Sequence, residues 1–221
     1  MTIFWDWNGT LLDDTEAAVA ALNVQLERRG LPPIGMDWYR ANFAFPVRPF
    51  YAKCGIDLAH EDWDALASDY HRVYSQMPKR LNGEAVAALT AAREKGVRQY
   101  VISALRQDLL DADIDSFHLR GFFDAVYGVD NLDGATKVGR AKELLAHVRA
   151  TDGGAADDIV LIGDALHDKE VADAIGVRCV LCACGGHSAE RLRAVAPTAE
   201  NLLADLDLAN PDASFVCKRA K

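Results

Sequence analysis

Short apolar runs alternate with stretches of helical periodicity along most of the chain. The first run, Ile3-Phe4-Trp5, stops at Asp6 and is followed by the turn residues Asn8-Gly9-Thr10, which predicts a buried strand delivering polar side chains to a loop. From Thr15 the apolar positions fall at Ala18, Leu22 and Leu26 until Gly30 interrupts them, the spacing of an amphipathic helix. The stretch from Leu31 to Pro78 has another texture, with most of the prolines and many aromatic residues among short helical patterns such as Asp62 to Tyr74. From Asn82 onward the two periods alternate. Helices are predicted over Glu84 to Lys95, Arg106 to Phe117, Lys137 to Val148 and His167 to Ala174, and strands over Val97 to Ser103, Ala125 to Val129, Asp158 to Gly163 and Val177 to Ala183.

Alternation of this kind builds an α/β fold, a parallel sheet of about five strands with helices on both faces. Its first strand precedes the proline-rich segment and the others follow it. Residues 15–78 are therefore expected to form an inserted helical cap, and residues 1–14 and 79–221 the core. Folds of this class bind ligands beyond the carboxyl ends of their strands, where a cap can close and exclude water.

Charge and cysteine content narrow the possible partners. With 33 acidic and 24 basic side chains the formal net charge is -9, which offers no general attraction to nucleic acid or to an anionic membrane surface. The N-terminus lacks the basic flank and apolar run of a signal peptide, and no segment reaches the roughly 20 apolar residues of a membrane span, so a cytoplasmic location is expected. The sequence sets no oligomeric state. The cysteines, Cys54, Cys179, Cys182, Cys184 and Cys217, are odd in number and do not suggest a disulfide framework. Cys179, Cys182, Cys184 and His187 have ligand-like spacing, yet they sit in a predicted buried strand. Alternation there sends Cys182 and Cys184 to one face and Cys179 to the other, which favours packing over a shared zinc ion.

Polar residues collect where the strands end: Asp6 after the first, Ser103 after the second, Asp164 and Asp168 after the fourth, with Lys137 opening the helix before it. Three carboxylates gathered beside a lysine repel one another unless a cation joins them, and all-oxygen ligands suit Mg2+. These motifs, Ile3-Phe-Trp-Asp6-Trp-Asn8-Gly-Thr10, Tyr100-Val-Ile-Ser103, Lys137 and Ile159-Val-Leu-Ile-Gly163-Asp164-Ala-Leu-His-Asp168, occur in the order of the haloacid dehalogenase superfamily, which the chain resembles over nearly its whole length. The resemblance implies a Rossmann-like three-layer core with an inserted helical cap, similar to phosphoglycolate-phosphatase-like members. It implies Asp6 as a nucleophile forming an aspartyl-phosphate, and Mg2+ bound by Asp6, the Asn8 backbone carbonyl, Asp164 and Asp168. Ser103 and Lys137 then hold the phosphoryl oxygens of a small phosphorylated metabolite.

One position departs from that pattern. Family phosphatases carry an aspartate two residues after the nucleophile as general acid and base; here it is Asn8, whose amide cannot exchange a proton at neutral pH. Three readings stay open: another group (Asp13, Asp14, His167 or a cap residue) carries the proton, the enzyme favours good leaving groups or a long-lived aspartyl-phosphate, or the chain binds a phosphorylated ligand without turnover. In the cap, Arg48 is the expected substrate contact, with Arg40, Tyr51 and Lys53 nearby, and Arg106 follows Ser103.

Overall fold

The computed structural model describes residues 1–132, 136–152 and 158–209; Cys217 and the end of the expected core segment lie outside them. Its centre is a six-stranded sheet in the order β5-β4-β1-β6-β7-β8. The strands are β1 (Thr2–Trp5), β4 (Arg98–Arg106), β5 (Ala125–Val129), β6 (Ile159–Gly163), β7 (Arg178–Cys182) and β8 (Thr198–Ala199), and every pairing is parallel. β1 lies between β4 and β6, with Phe4 beside both Tyr100 and Leu161. Such a central strand has both faces covered, which is why it reads as an unbroken apolar run. Ile3 and Trp5 enter one apolar cluster and Phe4 the other. The first cluster takes in α5 (Ala85–Glu94), α6 (Gln107–Ser116) and α10 (Leu202–Ala209); the second takes in α7 (Val138–Asp152) and α8 (Leu166–Ile175). Helix, sheet and helix form the three expected layers.

Four helices leave the sheet after β1. They are α1 (Thr15–Glu27), α2 (Met36–Asn42), α3 (Val47–Lys53) and α4 (Trp63–Gln76), and they bury apolar clusters of their own, one around Leu22, Leu26, Phe50 and Leu66, another around Ala21 and Val73. Arg29 of the α1 end grips Glu61 through two nitrogens at 2.6 and 2.7 Å, and Asp62 caps α4 by accepting from the Asp64 and Ala65 amides. The two passages between cap and core run side by side as an antiparallel ribbon, β2 (Leu12–Asp13) against β3 (Arg80–Leu81), with Asp13 ion-paired to Arg80.

Three details differ from the sequence expectation. β4 continues past Ser103 to Arg106 through an irregular register against β5. Gly128 makes room there, since a Cβ on it would lie 2.7 Å from the Leu105 carbonyl oxygen. The sheet also gains β8, and Cys182 and Cys184 are joined as a disulfide where none was expected. Residues i and i+2 at a strand end share a face, so the alternation that separates Cys179 from this pair also places the two sulfurs together. Cys54 and Cys179 are free and buried. The remaining helix, α9 (Ala189–Arg193), follows β7.

Candidate active site

β1, β4 and β6 run toward the cap, and Asp6, Ser103 and Asp164 from these strands or their ends meet there. Asp6 and Asp164 leave the ends of β1 and β6, Asp168 stands in the first turn of α8, and one oxygen from each carboxylate lies within 4.8 Å of the others. All three are buried. Lys137 reaches them from just before α7 with 2 % of its side chain exposed; its Nζ contacts Asp6 Oδ1, lies 2.7 Å from Asp168 Oδ1 and donates to the Ile102 carbonyl at 3.1 Å. A lysine is buried this fully only when such partners replace its water. Burial works against its charge, but Asp168 and Asp6 outweigh that and hold the ammonium above its ordinary range.

The three carboxylates respond differently to this setting. Burial raises Asp6 to about 7, with Lys137 opposing the rise and Asp168 adding to it. Burial and then repulsion from Asp6 and Asp168 push Asp164 well above its usual range, against the Gly186 N–H that donates to its Oδ2. Asp168 ends up below its usual range although burial opposes this, because Lys137 stands beside it and the Asp164 and Ala165 amides donate to its Oδ2 at 3.1 and 3.0 Å. Three carboxylates against one ammonium leave this cluster short of positive charge. Its donors are all oxygen, so the residues present fit a hard divalent cation such as Mg2+. Gly9 is needed in the same place: its φ is +78°, and a Cβ there would overlap the Asp164 carboxylate.

Beyond the carboxylates the site is built around Asn8. Its Nδ2 donates to Asp14 Oδ2 and approaches the Tyr74 hydroxyl, both at 2.9 Å. Asp14 also accepts from the Gly9 amide at 2.7 Å and from the Tyr74 hydroxyl at 2.6 Å. Burial raises the Asp14 carboxyl, and those donors pull it part of the way back. Thr10, a turn residue in the sequence, places its Oγ1 3.2 Å from Asp6 Oδ2 and 3.4 Å from Asp164 Oδ1. Ser103 is buried with its Oγ 3.5 Å from Asn8 Oδ1 and accepts from the Leu105 amide. Asp6, Asn8, Asp14, Ser103, Lys137, Asp164 and Asp168 therefore line one cavity of about 170 Å³ between core and cap.

A family description, "Haloacid dehalogenase-like hydrolase", matches residues 3–182, which is most of the chain. The chain belongs to that family. Among its relatives is a phosphoglycolate phosphatase of Caulobacter vibrioides, 31 % identical over 194 residues that cover 83 % of this chain and 79 % of that one. A 5'-nucleotidase of Pseudomonas aeruginosa is 28 % identical over 199 residues, covering 89 % and 88 %. In structure, a haloacid dehalogenase-like hydrolase of Streptococcus pneumoniae superposes with a TM-score of 0.78 at 18 % identity, over 94 % of this chain and 97 % of that one. This haloacid dehalogenase-like hydrolase is thus an enzyme of the phosphoric monoester class, similar to phosphoglycolate phosphatases, with the expected α/β core.

The cap residues singled out in the sequence of this hydrolase do not all reach the cavity. Arg48 is exposed, and its guanidinium lies over the Trp63 ring, 4.7 Å from the centroid, without itself lining the cavity. Arg40 donates to the Gly185 carbonyl and Arg106 pairs with Asp108. Tyr51 does line the cavity, while Lys53 is exposed. Tyr74 and the bonds it makes to Asp14 went unread, because a tyrosine in an amphipathic helix signals core packing and nothing more. Asp13 and Asp14 looked alike in sequence; the ribbon turns Asp13 toward Arg80 and Asp14 inward.

Proposed function

We propose that this hydrolase is a Mg2+-dependent phosphatase or phosphotransferase acting on a small phosphomonoester, with Asp6 as nucleophile. The observation carrying this reading is the pairing of Asp6 with Lys137 beside two further buried carboxylates that line one cavity. Asp6, Asp164, Asp168 and the Asn8 carbonyl would hold the metal. When bound, Mg2+ supplies positive charge that offsets repulsion between a carboxylate nucleophile and a phosphate dianion.

Asp6 attacks phosphorus, the bond from phosphorus to the alcohol oxygen breaks, and that oxygen takes up a proton. Water, giving up a proton, then cleaves the acyl phosphate and restores Asp6. Lys137 and the Ser103 hydroxyl hold the phosphoryl oxygens through this exchange. Asn8 orients neighbouring groups but carries no proton; of the other candidates, Asp14 and His167 line the cavity and Asp13 does not. The same reading keeps the cytoplasmic location expected from the sequence.

The amide at position 8 favours one rival, a chain that binds a phosphorylated ligand without turnover. Phosphate release from a panel of phosphomonoesters, with and without Mg2+, separates the two. Mg2+-dependent release that vanishes in Asp6→Asn supports the phosphatase; saturable binding without release supports the rival. A burst of phenol from an aryl phosphate near one equivalent per site, then a slower steady rate, would mark accumulation of the aspartyl-phosphate.

A further inference from the structure

Above its carboxylates the cavity becomes aromatic. On one side Tyr39 stacks on Phe43 with centroids 4.8 Å apart, and Phe50 meets Phe43 edge-on at 5.2 Å. On the other, Tyr51 packs edge-on against Trp63 and Tyr70 at 5.5 and 6.2 Å. All six rings line the cavity. Burial raises the Tyr39, Tyr51 and Tyr70 phenols, so they stay protonated, and pushes the His71 imidazole down to about 4, so it stays neutral.

Among the described residues lining the cavity, Lys137 is the one lysine or arginine, and its ammonium sits at the carboxylate end, against Asp6 and Asp168, where the phosphoryl group is held. His167, the remaining histidine of the wall, has its Nε2 turned to the Lys137 amide at 3.4 Å and its Nδ1 to Glu170 at 3.2 Å, and Phe45 stacks on it at 4.7 Å. The other ionisable lining groups are the Tyr74 phenol and carboxylic acids. A carboxylate on the leaving group would therefore give up its water and meet no cationic side chain along the aromatic wall. Aromatic carbon is suited to the same wall, and a cavity of about 170 Å³ that also takes the phosphoryl group leaves room for a compact leaving group only. Trp63 Nε1 and His71 Nδ1 are buried without hydrogen-bond partners, so neutral polar substituents can be met there.

We infer, resting on the phosphatase reading above, that the alcohol released by this enzyme is an uncharged aromatic or similarly compact apolar alcohol of about one ring, and that carboxylated esters such as phosphoglycolate are poor substrates. This sets the chain apart in substrate from a relative named for phosphoglycolate.

A matched pair of esters tests it, using the full chain with Mg2+. Benzyl phosphate and 4-carboxybenzyl phosphate share the scissile bond and differ in one charge. The expected kcat/KM is about 10-fold or more higher for benzyl phosphate, with phosphoglycolate no better than the carboxylated ring. Equal or better turnover of either carboxylated ester overturns the inference. Calorimetry with benzylphosphonate and 4-carboxybenzylphosphonate reads the same ratio in Kd without chemistry. If neither ester is hydrolysed while benzylphosphonate binds about 10-fold tighter, the preference of the cavity for an uncharged ring stands and the turnover reading falls. Equal phosphonate affinities sink the inference whatever the turnover.

Discussion

Replacing Asn8 by aspartate restores the family pattern, but in this chain it sets one carboxylate against another. The Asn8 Nδ2 lies 2.9 Å from Asp14 Oδ2, so Asn8→Asp puts an acceptor where a donor now stands. Two unit charges at that separation repel by about 6 kcal/mol at an effective dielectric of about 20. The pair has a less costly escape, which is to retain a proton. For a carboxyl of ordinary pKa near 4, that costs about 4 kcal/mol at pH 7, so protonation decides the outcome. Asp14 is already raised by burial, which makes 4 kcal/mol an upper bound. Above about pH 4 the folded variant then binds more protons than its unfolded chain, and its stability relative to wild type falls by up to about 1.4 kcal/mol per unit as pH rises.

Urea unfolding at about pH 5 and pH 8, on wild type, Asn8→Asp, Asp14→Asn and the double variant, measures the coupling. The double variant exchanges amide and carboxylate across the same contact and should recover most of the loss. If Asn8→Asp stays within about 0.5 kcal/mol of wild type at both pH values, or the double variant recovers nothing, Asn8 and Asp14 are not coupled as described.

Two further outcomes follow from the buried charges. Asp164→Asn removes a repelled carboxylate, so in a chelator its melting temperature should equal or exceed that of wild type. The gain that Mg2+ gives wild type, about 2.7 kcal/mol at 100 times Kd, should vanish; an undiminished gain by scanning fluorimetry would move the metal elsewhere. His187 accepts from the Leu166 amide through Nδ1, and burial followed by Arg191 lowers it from 6.5 to about 4. Its unfolded form takes up a proton first as pH drops, so stability present above about pH 6.5 is lost toward pH 4, by up to about 3 kcal/mol. His187→Asn keeps an acceptor and should flatten that slope in urea midpoints; an unchanged slope refutes the assignment.

Much of the fold could be read because the sheet is parallel and buried on both faces, so its strands stand out as apolar runs ending in a polar residue. That same punctuation located Asp6, Ser103 and Asp164. The pieces that escaped are short or remote from their partners. Thr198–Ala199 is too brief to show a period of two, and Leu12–Asp13 finds Arg80–Leu81 only after four intervening helices. Arg48 was chosen for its loop and its charge, and its guanidinium lies over the Trp63 ring, a contact open to any nearby arginine and not signalled by the local sequence. Asp14 was one of several candidates; burial by Tyr74 set it apart, and no local pattern encodes that contact.

The hydrogen bonds around Gly9 also bear on how this protein ages. An asparagine followed by glycine is the pair most prone to lose ammonia, through attack of the glycine nitrogen on the asparagine side chain to give a cyclic imide. Here the attacking nitrogen is occupied: the Gly9 amide donates to Leu12 O at 2.9 Å and to Asp14 Oδ1 at 2.7 Å, while the Asn8 amide is held by Asp14. Ring closure must break those bonds first. Deamidation of Asn8 on storage should thus be paced by opening of the turn from Asn8 to Asp14, and slow accumulation of the one-dalton heavier chain becomes a clock for that opening.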